Sequence, residues 1–216
     1  MRGRFITFEG IDGAGKSTHL PRFASLLRER QIPVLATREP GGTALAELIR
    51  DWFLHHPADP QTEALLAFAA RSDHLAQAIR PALAAGRWVV CDRFTDSTVA
   101  YQGGGRELGI ERVEQLEQWL HPDLQPDRTY LFDLEPEEAA RRRARARVAD
   151  RFEAEDVAFF KRVREGYLAR SSGGSGSNSS DSGQRILRID AGQTPEAIWE
   201  ILAADLAACC RRWTTS

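Results

Sequence analysis

Cysteine is scarce. Cys91, Cys209 and Cys210 are the three in 216 residues. The number is odd and no C-x-x-C pair occurs, which argues against a disulfide framework or a zinc site and favours a reducing cytosol. Long apolar runs are also missing. None approaches the roughly 20 residues needed to cross a bilayer, and no leader-like segment precedes the first apolar stretch. The terminal Cys-Cys-Arg-Arg-Trp-Thr-Thr-Ser lacks the pattern of a prenylation signal. There is no excess of charge of one sign. With 29 Lys+Arg against 31 Asp+Glu the net charge is −2, too balanced for nucleic-acid binding through bulk charge. What remains is an ordinary globular composition, 42% apolar and 28% charged. The length suits one well-buried domain and is short for two.

Apolar, strand-like runs recur at 5–8, 34–37, 88–91, 129–134 and 186–189. None alternates cleanly with polar residues, as expected of a sheet covered on both faces. Helical spacing lies between them: Leu20, Phe23, Ala24 and Leu27; Leu45, Leu48, Ile49, Trp52 and Phe53; Leu65, Phe68, Ala69 and Leu75. Strands alternating with helices predict parallel crossovers and an α/β sandwich. Pro21 falls early in the first helix and predicts a tightened first turn or a small kink. Residues 171–183 are Ser/Gly-rich with no apolar residue and read as a flexible loop within the domain. Thr194 and Pro195 read as N-cap and first residue of the last helix, with Ile198, Trp199, Leu202 and Leu206 as its buried face.

The stretch Gly10, Ile11, Asp12, Gly13, Ala14, Gly15, Lys16, Ser17 fits G-x-x-x-x-G-K-[ST], between a strand-like and a helix-like run. The glycines let successive backbone N–H groups turn inward on a polyphosphate. Lys16 supplies a point charge, Ser17 a hydroxyl for magnesium, and the helix start behind them a partial positive charge. A nucleoside triphosphate is therefore the expected ligand.

Other clusters sit where further strands should end. Asp92-Arg93-Phe94 follows the third. There Asp92 can steer a magnesium-bound water and Arg93 can clamp a phosphate. A local ion pair is the plainer alternative. Arg38-Glu39-Pro40-Gly41-Gly42 makes a rigid turn after the second strand. Phe68 and Arg71 share a helix face, either as a plate and reader for a base ring or as a core Phe beside a solvated Arg. Ser97, Thr98, Tyr101 and Gln102, before three glycines, resemble a binding loop or a glycine-capped helix end. The helix that begins at Glu135 carries acids first and then Arg141, Arg142, Arg143, Arg145 and Arg147, with Arg151 beyond. Glu137–Arg141 and Glu138–Arg142 are candidate pairs. The arginine density at its end predicts a lid that closes on phosphates, about residues 141–155.

Taken in order, Phe8 to Thr18, Arg38-Glu39-Pro40-Gly41-Gly42-Thr43, Phe68-Ala69-Ala70-Arg71, Asp92-Arg93-Phe94, Tyr101-Gln102-Gly103-Gly104, the 142–151 lid and Asp190-Ala191 make the chain resemble bacterial thymidylate kinases over nearly its whole length. The resemblance implies a P-loop NTPase fold with a five-stranded parallel sheet, and a cytoplasmic homodimer. It implies transfer from ATP, with magnesium, to thymidine monophosphate. It implies residue roles as well: the loop from Gly10 to Thr18 for ATP; Ser17 and, through water, Asp92 for magnesium; Phe68 stacking on thymine and Arg71 reading its edge; Arg38 and Arg93 on the monophosphate. Tyr101 would crowd the sugar 2′ position, Asp12 would lie near the 3′-hydroxyl, and Pro40, Ser97, Thr98 and Gln102 would line the pocket. A cis Glu39–Pro40 bond is also implied. With Gly at position 13 there is no loop arginine after Asp12, so the chain resembles the lid-arginine type, with Arg143, Arg147 and Arg151 as catalytic candidates beside Lys16, Asp12 and Arg93. Another P-loop kinase, of deoxynucleosides or of cytidylate, and a nucleotide-gated switch are the rival readings. The switch reading lacks a guanine-reading N-K-x-D motif.

Overall fold

The computed structural model describes residues 2–144, 151–152, 155–172 and 185–214. Five strands, β1 (Phe5–Glu9), β2 (Val34–Arg38), β3 (Trp88–Asp92), β4 (Arg128–Asp133) and β5 (Ile186–Asp190), form one parallel sheet in the order β2-β3-β1-β4-β5. All five predicted strands are present, most of them extended by a residue. β1 is central because its side chains are buried along its whole length. Ile6 and Phe8 point into one core with Val90, Phe23, Leu27, Tyr130, Leu202 and Leu206, while Phe5 joins Val89, Cys91, Phe94, Ile79 and Leu83 on the other side. Successive residues facing opposite layers is the two-residue period of a strand. Apolar cover on both layers explains why polar alternation is missing from the sequence.

Helices α1 (Lys16–Glu29), α2 (Ala44–His55), α3 (Pro60–His74), α4 (Arg80–Ala84), α5 (Thr95–Thr98), α6 (Ile110–Leu120), α7 (Pro136–Arg143), α8 (Val157–Ser171) and α9 (Pro195–Thr214) surround the sheet. π-helical turns at Leu75–Ile79 and Val99–Gly105 extend α3 and α5. α1 runs on through Pro21. Its first turn is tightened, with Thr18 N–H donating to the Gly15 carbonyl three residues back at 3.2 Å. Thr194 caps α9 through Oγ1, which accepts from Ala197 N–H at 3.3 Å.

Two helix faces differ from the periodicity reading. On α2 only Ala46 and Phe53 are buried, while Leu45, Leu48 and Trp52 are exposed. On α3 the buried side is Glu63, Ala64, Ala67, Phe68, Ala70, Arg71 and His74, while Leu65 is exposed. Apolar spacing found Phe68 and Leu75, which are buried, but missed the charged members of that face, Glu63, Arg71 and His74, each paired inside. Ser171 closes α8, so the flexible-loop expectation fails at its first residue. Residues 173–183 lie outside the described residues, as do 145–150 and 153–154 of the expected lid.

Register fixes where a ligand can bind. Phe8 stands beside Asp92, and Asp92 beside Arg38. The carboxyl ends of β1, β3 and β2 therefore open side by side, with the loop after β1 and the turns after β2 and β3 sharing one crevice.

Candidate active site

Gly10 leaves β1 at φ +133°, and a Cβ there would lie 2.4 Å from the Phe132 carbonyl oxygen. Only glycine lets the chain turn so close to β4. Gly15 then caps α1 in the left-handed region. The loop folds over Lys16, which is almost wholly buried and donates to the carbonyls of Gly10 at 2.9 Å and Ile11 at 3.1 Å. Burial, reinforced by the nearby Arg93 charge, pushes the ammonium down to about 8.

Arg93 occupies the same space from the end of β3. Its backbone is left-handed at φ 69°, a conformation that costs a non-glycine residue about 1–3 kcal/mol. The side chain compensates with contacts on four elements. Nη1 donates to the Gly10 carbonyl at 3.0 Å, Ser97 Oγ at 3.1 Å and Tyr167 Oη at 3.0 Å. Nη2 donates to Asp12 Oδ1 at 2.7 Å and Tyr101 Oη at 3.2 Å. The Gly10 carbonyl thus accepts from both Lys16 and Arg93, so the loop and the cavity behind Arg93 meet at one atom. Burial opposes the Asp12 charge, but Arg93 and Lys16 outweigh it, and the carboxyl is held below the ordinary range. Tyr101 donates to Asp12 Oδ2 at 2.8 Å.

Beyond Arg93 opens a cavity that is partly open to solvent. Its polar wall includes Asp12, Glu39, Arg50, Arg71, Arg93, Ser97, Thr98, Tyr101 and Gln102. Pro40, Phe53, Leu54, Ala67, Phe94 and Phe152 supply the apolar wall. The Glu39–Pro40 bond is cis. Arg71, 3% exposed, donates through Nε to Glu39 at 2.8 Å and through Nη2 to Thr98 at 3.0 Å. Among the described residues its Nη1 has no hydrogen-bond partner. Asp92 Oδ1, at the edge of the loop, is likewise buried and without a partner.

Most of the residues singled out from the sequence converge here, but Phe68 and Arg38 do not. Phe68 packs with Val99 and Val113 behind the guanidinium of Arg71, 4.8 Å from the ring centre, and Ala67 takes its place on the wall. One position along a helix turns a side chain by about 100°, enough to move it from the cavity to the core. Arg38 points outward to Glu47, and Arg50 from α2 brings a guanidinium to the cavity instead, held by the Pro40 carbonyl at 2.9 Å. Arg50, Phe53 and Phe152 carried no recognisable motif. Only the docking of α2 and of the segment after α7 brings them in.

The lid arginines divide. Arg143 donates to the Asp12 carbonyl at 2.8 Å, at the phosphate loop itself. Arg151 donates to the Phe53 carbonyl and to Glu63, both at 2.6 Å, on the far side of the cavity. Arg147 lies outside the described residues. Of the two expected acid–base pairs on α7, Glu138–Arg142 forms, but Glu137 pairs with Lys161 and Arg141 turns to Glu138.

Under this network lies Glu9, which accepts from Phe94 N–H at 2.6 Å and from Ser97 at 2.5 Å. Burial and the neighbouring Asp96 raise its carboxyl to about 8.

Fold, loop and cavity together define a P-loop nucleotide-binding protein with a second pocket against its phosphate site. The family model described as thymidylate kinase matches residues 8–196. The chain is similar to curated proteins named thymidylate kinase. One is from Bordetella pertussis, 52% identical over 94% of this chain and 97% of the relative. Others are from Ralstonia nicotianae, 53% identical over 96% and 100%, and Methylobacillus flagellatus, 57% identical over 79% and 84%. The chain belongs to the thymidylate kinase family.

A raised carboxyl holds its proton more tightly in the folded state. The stability it contributes is full below pH 4.5 and is lost as the pH climbs to about 8. Thermal melting across pH 5–8 should therefore fall more steeply for the natural chain than for Glu9→Gln, whose amide cannot ionise. Parallel curves would show that Glu9 is ionised throughout.

Proposed function

We propose that this chain transfers the γ-phosphoryl group of ATP to thymidine monophosphate. The observation that carries the reading is the shared Gly10 carbonyl. It sets the Lys16 cradle for a triphosphate directly against Arg93, which opens on the second cavity. A switch protein has no use for that second cavity. The acceptor phosphate is already anionic at neutral pH, so no general base is needed. The main obstacle is bringing two anions together in line. Lys16 and the N–H groups of the Gly10–Thr18 loop hold the donor. Arg93 and Arg50 hold the acceptor phosphate, and Asp12 with Tyr101 borders its sugar. Arg71 presents Nη1 to the base edge, over Ala67 and between apolar walls.

Arg143 is the described lid arginine closest to the phosphate loop, and we assign charge stabilisation in the transition state to it. Such a group is worth about 10³–10⁵ in rate, or roughly 4–7 kcal/mol. Magnesium would be held by the Ser17 hydroxyl and, through water, by Asp92, whose buried Oδ1 suits that role. It would neutralise phosphate charge. Among the described residues no cluster of three or more His, Cys, Asp and Glu is placed to hold a metal. The phosphates and water would therefore supply most of the ion's oxygens.

We also read the protein as a cytoplasmic homodimer. Among the described residues no helix is long and apolar enough to cross a membrane. Leu45, Leu48 and Trp52 on α2 and Leu65 on the adjoining α3 are exposed, an apolar face that a second copy would cover. Leu48→Glu should shift sedimentation toward monomer, and an unchanged profile moves the interface elsewhere.

ADP release measured with thymidine monophosphate, thymidine and cytidine monophosphate tests the reaction. The first should be the preferred acceptor. Lys16→Ala should abolish nearly all turnover while leaving the circular dichroism spectrum intact, and normal turnover would refute the mechanism. Tyr101→Ala should admit ribonucleotide acceptors that the natural chain and Tyr101→Phe reject. Unchanged sugar preference would take Tyr101 out of the sugar site.

A further inference from the structure

A buried polar chain runs behind the base end of the cavity and is not consumed by the chemistry above. His74, the last residue of α3, is wholly buried. Its Nδ1 lies 2.9 Å from Glu39 Oε1 and its Nε2 2.8 Å from Thr37 Oγ1. A carboxylate only accepts, so Nδ1 carries the proton and donates. With a neutral ring, Nε2 then accepts from the Thr37 hydroxyl. The other oxygen of Glu39 receives Arg71 Nε at 2.8 Å. The ring also presses on the turn that carries Pro40. A Cβ on Gly42, at φ +87°, would stand 2.4 Å from Nε2. Next to it, Asp73 accepts from the Thr43 hydroxyl and fastens the same turn.

Arg71 has little freedom of its own. Phe68 and Phe94 lie 4.8 Å and 5.1 Å from its guanidinium carbon. Nε and Nη2 are committed to Glu39 and Thr98, so among the described residues Nη1 is the nitrogen left without a partner, on a residue that lines the cavity. The direction of Nη1 therefore depends on where the Glu39 carboxylate stands. That carboxylate is buried, and His74 holds its second oxygen.

We propose that His74 is a positioning residue for acceptor selection: through Glu39 it fixes the direction in which Arg71 Nη1 meets the pyrimidine edge. The inference rests on the reading of Arg71 as the group that faces the base. An N–H donor suits the carbonyl at position 4 of thymine and opposes the amino group cytosine carries there. A site built to hydrogen-bond one edge discriminates strongly against the other. Without the imidazole, Glu39 Oε1 is left buried without its donor, and the carboxylate turns to find another, taking Arg71 with it.

Steady-state kinetics of His74→Leu and His74→Asn, with Arg71→Lys as reference, test this. The leucine removes both ring contacts, whereas the asparagine amide can donate in place of Nδ1. His74→Leu should raise KM for thymidine monophosphate about tenfold. It should lower the preference over deoxycytidine monophosphate by a similar factor, and leave KM for ATP and kcat near their natural values. His74→Asn should restore most of both losses. A merely structural histidine would instead lower melting temperature and active fraction without changing acceptor preference, and that result overturns the proposal. If His74→Leu does not fold, His74→Phe, which keeps a ring but removes both nitrogens, carries the same test: a raised acceptor KM supports the role and a natural one overturns it. Natural acceptor kinetics in His74→Leu alone overturns the role of His74. Natural kinetics in Arg71→Lys as well removes the base-reading assignment beneath it.

Discussion

The hydrogen bonds of Arg93 hold the site together. One guanidinium joins the phosphate loop at Gly10 and Asp12, the segment after β3 at Ser97, the π-helical turn at Tyr101, and α8 at Tyr167. A cation this enclosed is tolerated only because acceptors surround it. Burial opposes its charge, but Asp12 outweighs that cost and keeps it protonated beyond any ordinary pH. The same contacts offset a left-handed backbone at residue 93. Charge, strain and position are therefore linked. The distorted residue stands where one guanidinium reaches both the phosphate loop and the cavity wall.

Around that centre the protein buries charge in linked groups rather than isolated pairs. Glu63 meets Arg151, Arg106 and Gln102, so one carboxylate on α3 ties the cavity wall to the segment after α7. Asp96 takes Arg170 and Arg185, the described arginines nearest the two ends of the Ser/Gly stretch, and anchors them to the short helix that bears Ser97 and Thr98. Glu39 joins Arg71 to His74. Each cluster includes a residue of the cavity wall or adjoins one in the chain. Removing one partner would leave a buried charge uncompensated, so these groups tend to stand or fall together.

The lid shows how charge pattern and contact can part company. Arginine density was readable as a demand for anions, but the individual destinations were not. Arg143 reaches the phosphate loop, Arg142 the Ala191 carbonyl, and Arg151 a glutamate across the cavity. Within ten residues of sequence the same residue type serves a loop, a strand end and a second helix. Spacing along α7 sets the directions in which Arg142 and Arg143 leave the helix. What each meets depends on elements distant in sequence.

The sequence by itself determined the five strands, their parallel crossover connections and the phosphate loop. These rest on local facts: runs of apolar residues, glycines where φ must be positive, and a lysine and serine at fixed offsets. It also pointed to Arg93, Arg71, Tyr101 and the Glu39–Pro40 turn, whose motifs are continuous in the chain. Only the tertiary structure decided that Phe68 and Arg38 turn away while Ala67 and Arg50 face the cavity. It alone showed that α2 exposes its apolar stripe and that His74 stands behind Arg71. Those outcomes depend on a helix's rotation about its axis and on which charged groups find partners inside. Neither is encoded in spacing alone, because a buried face that carries paired charges looks, in sequence, like a solvated one.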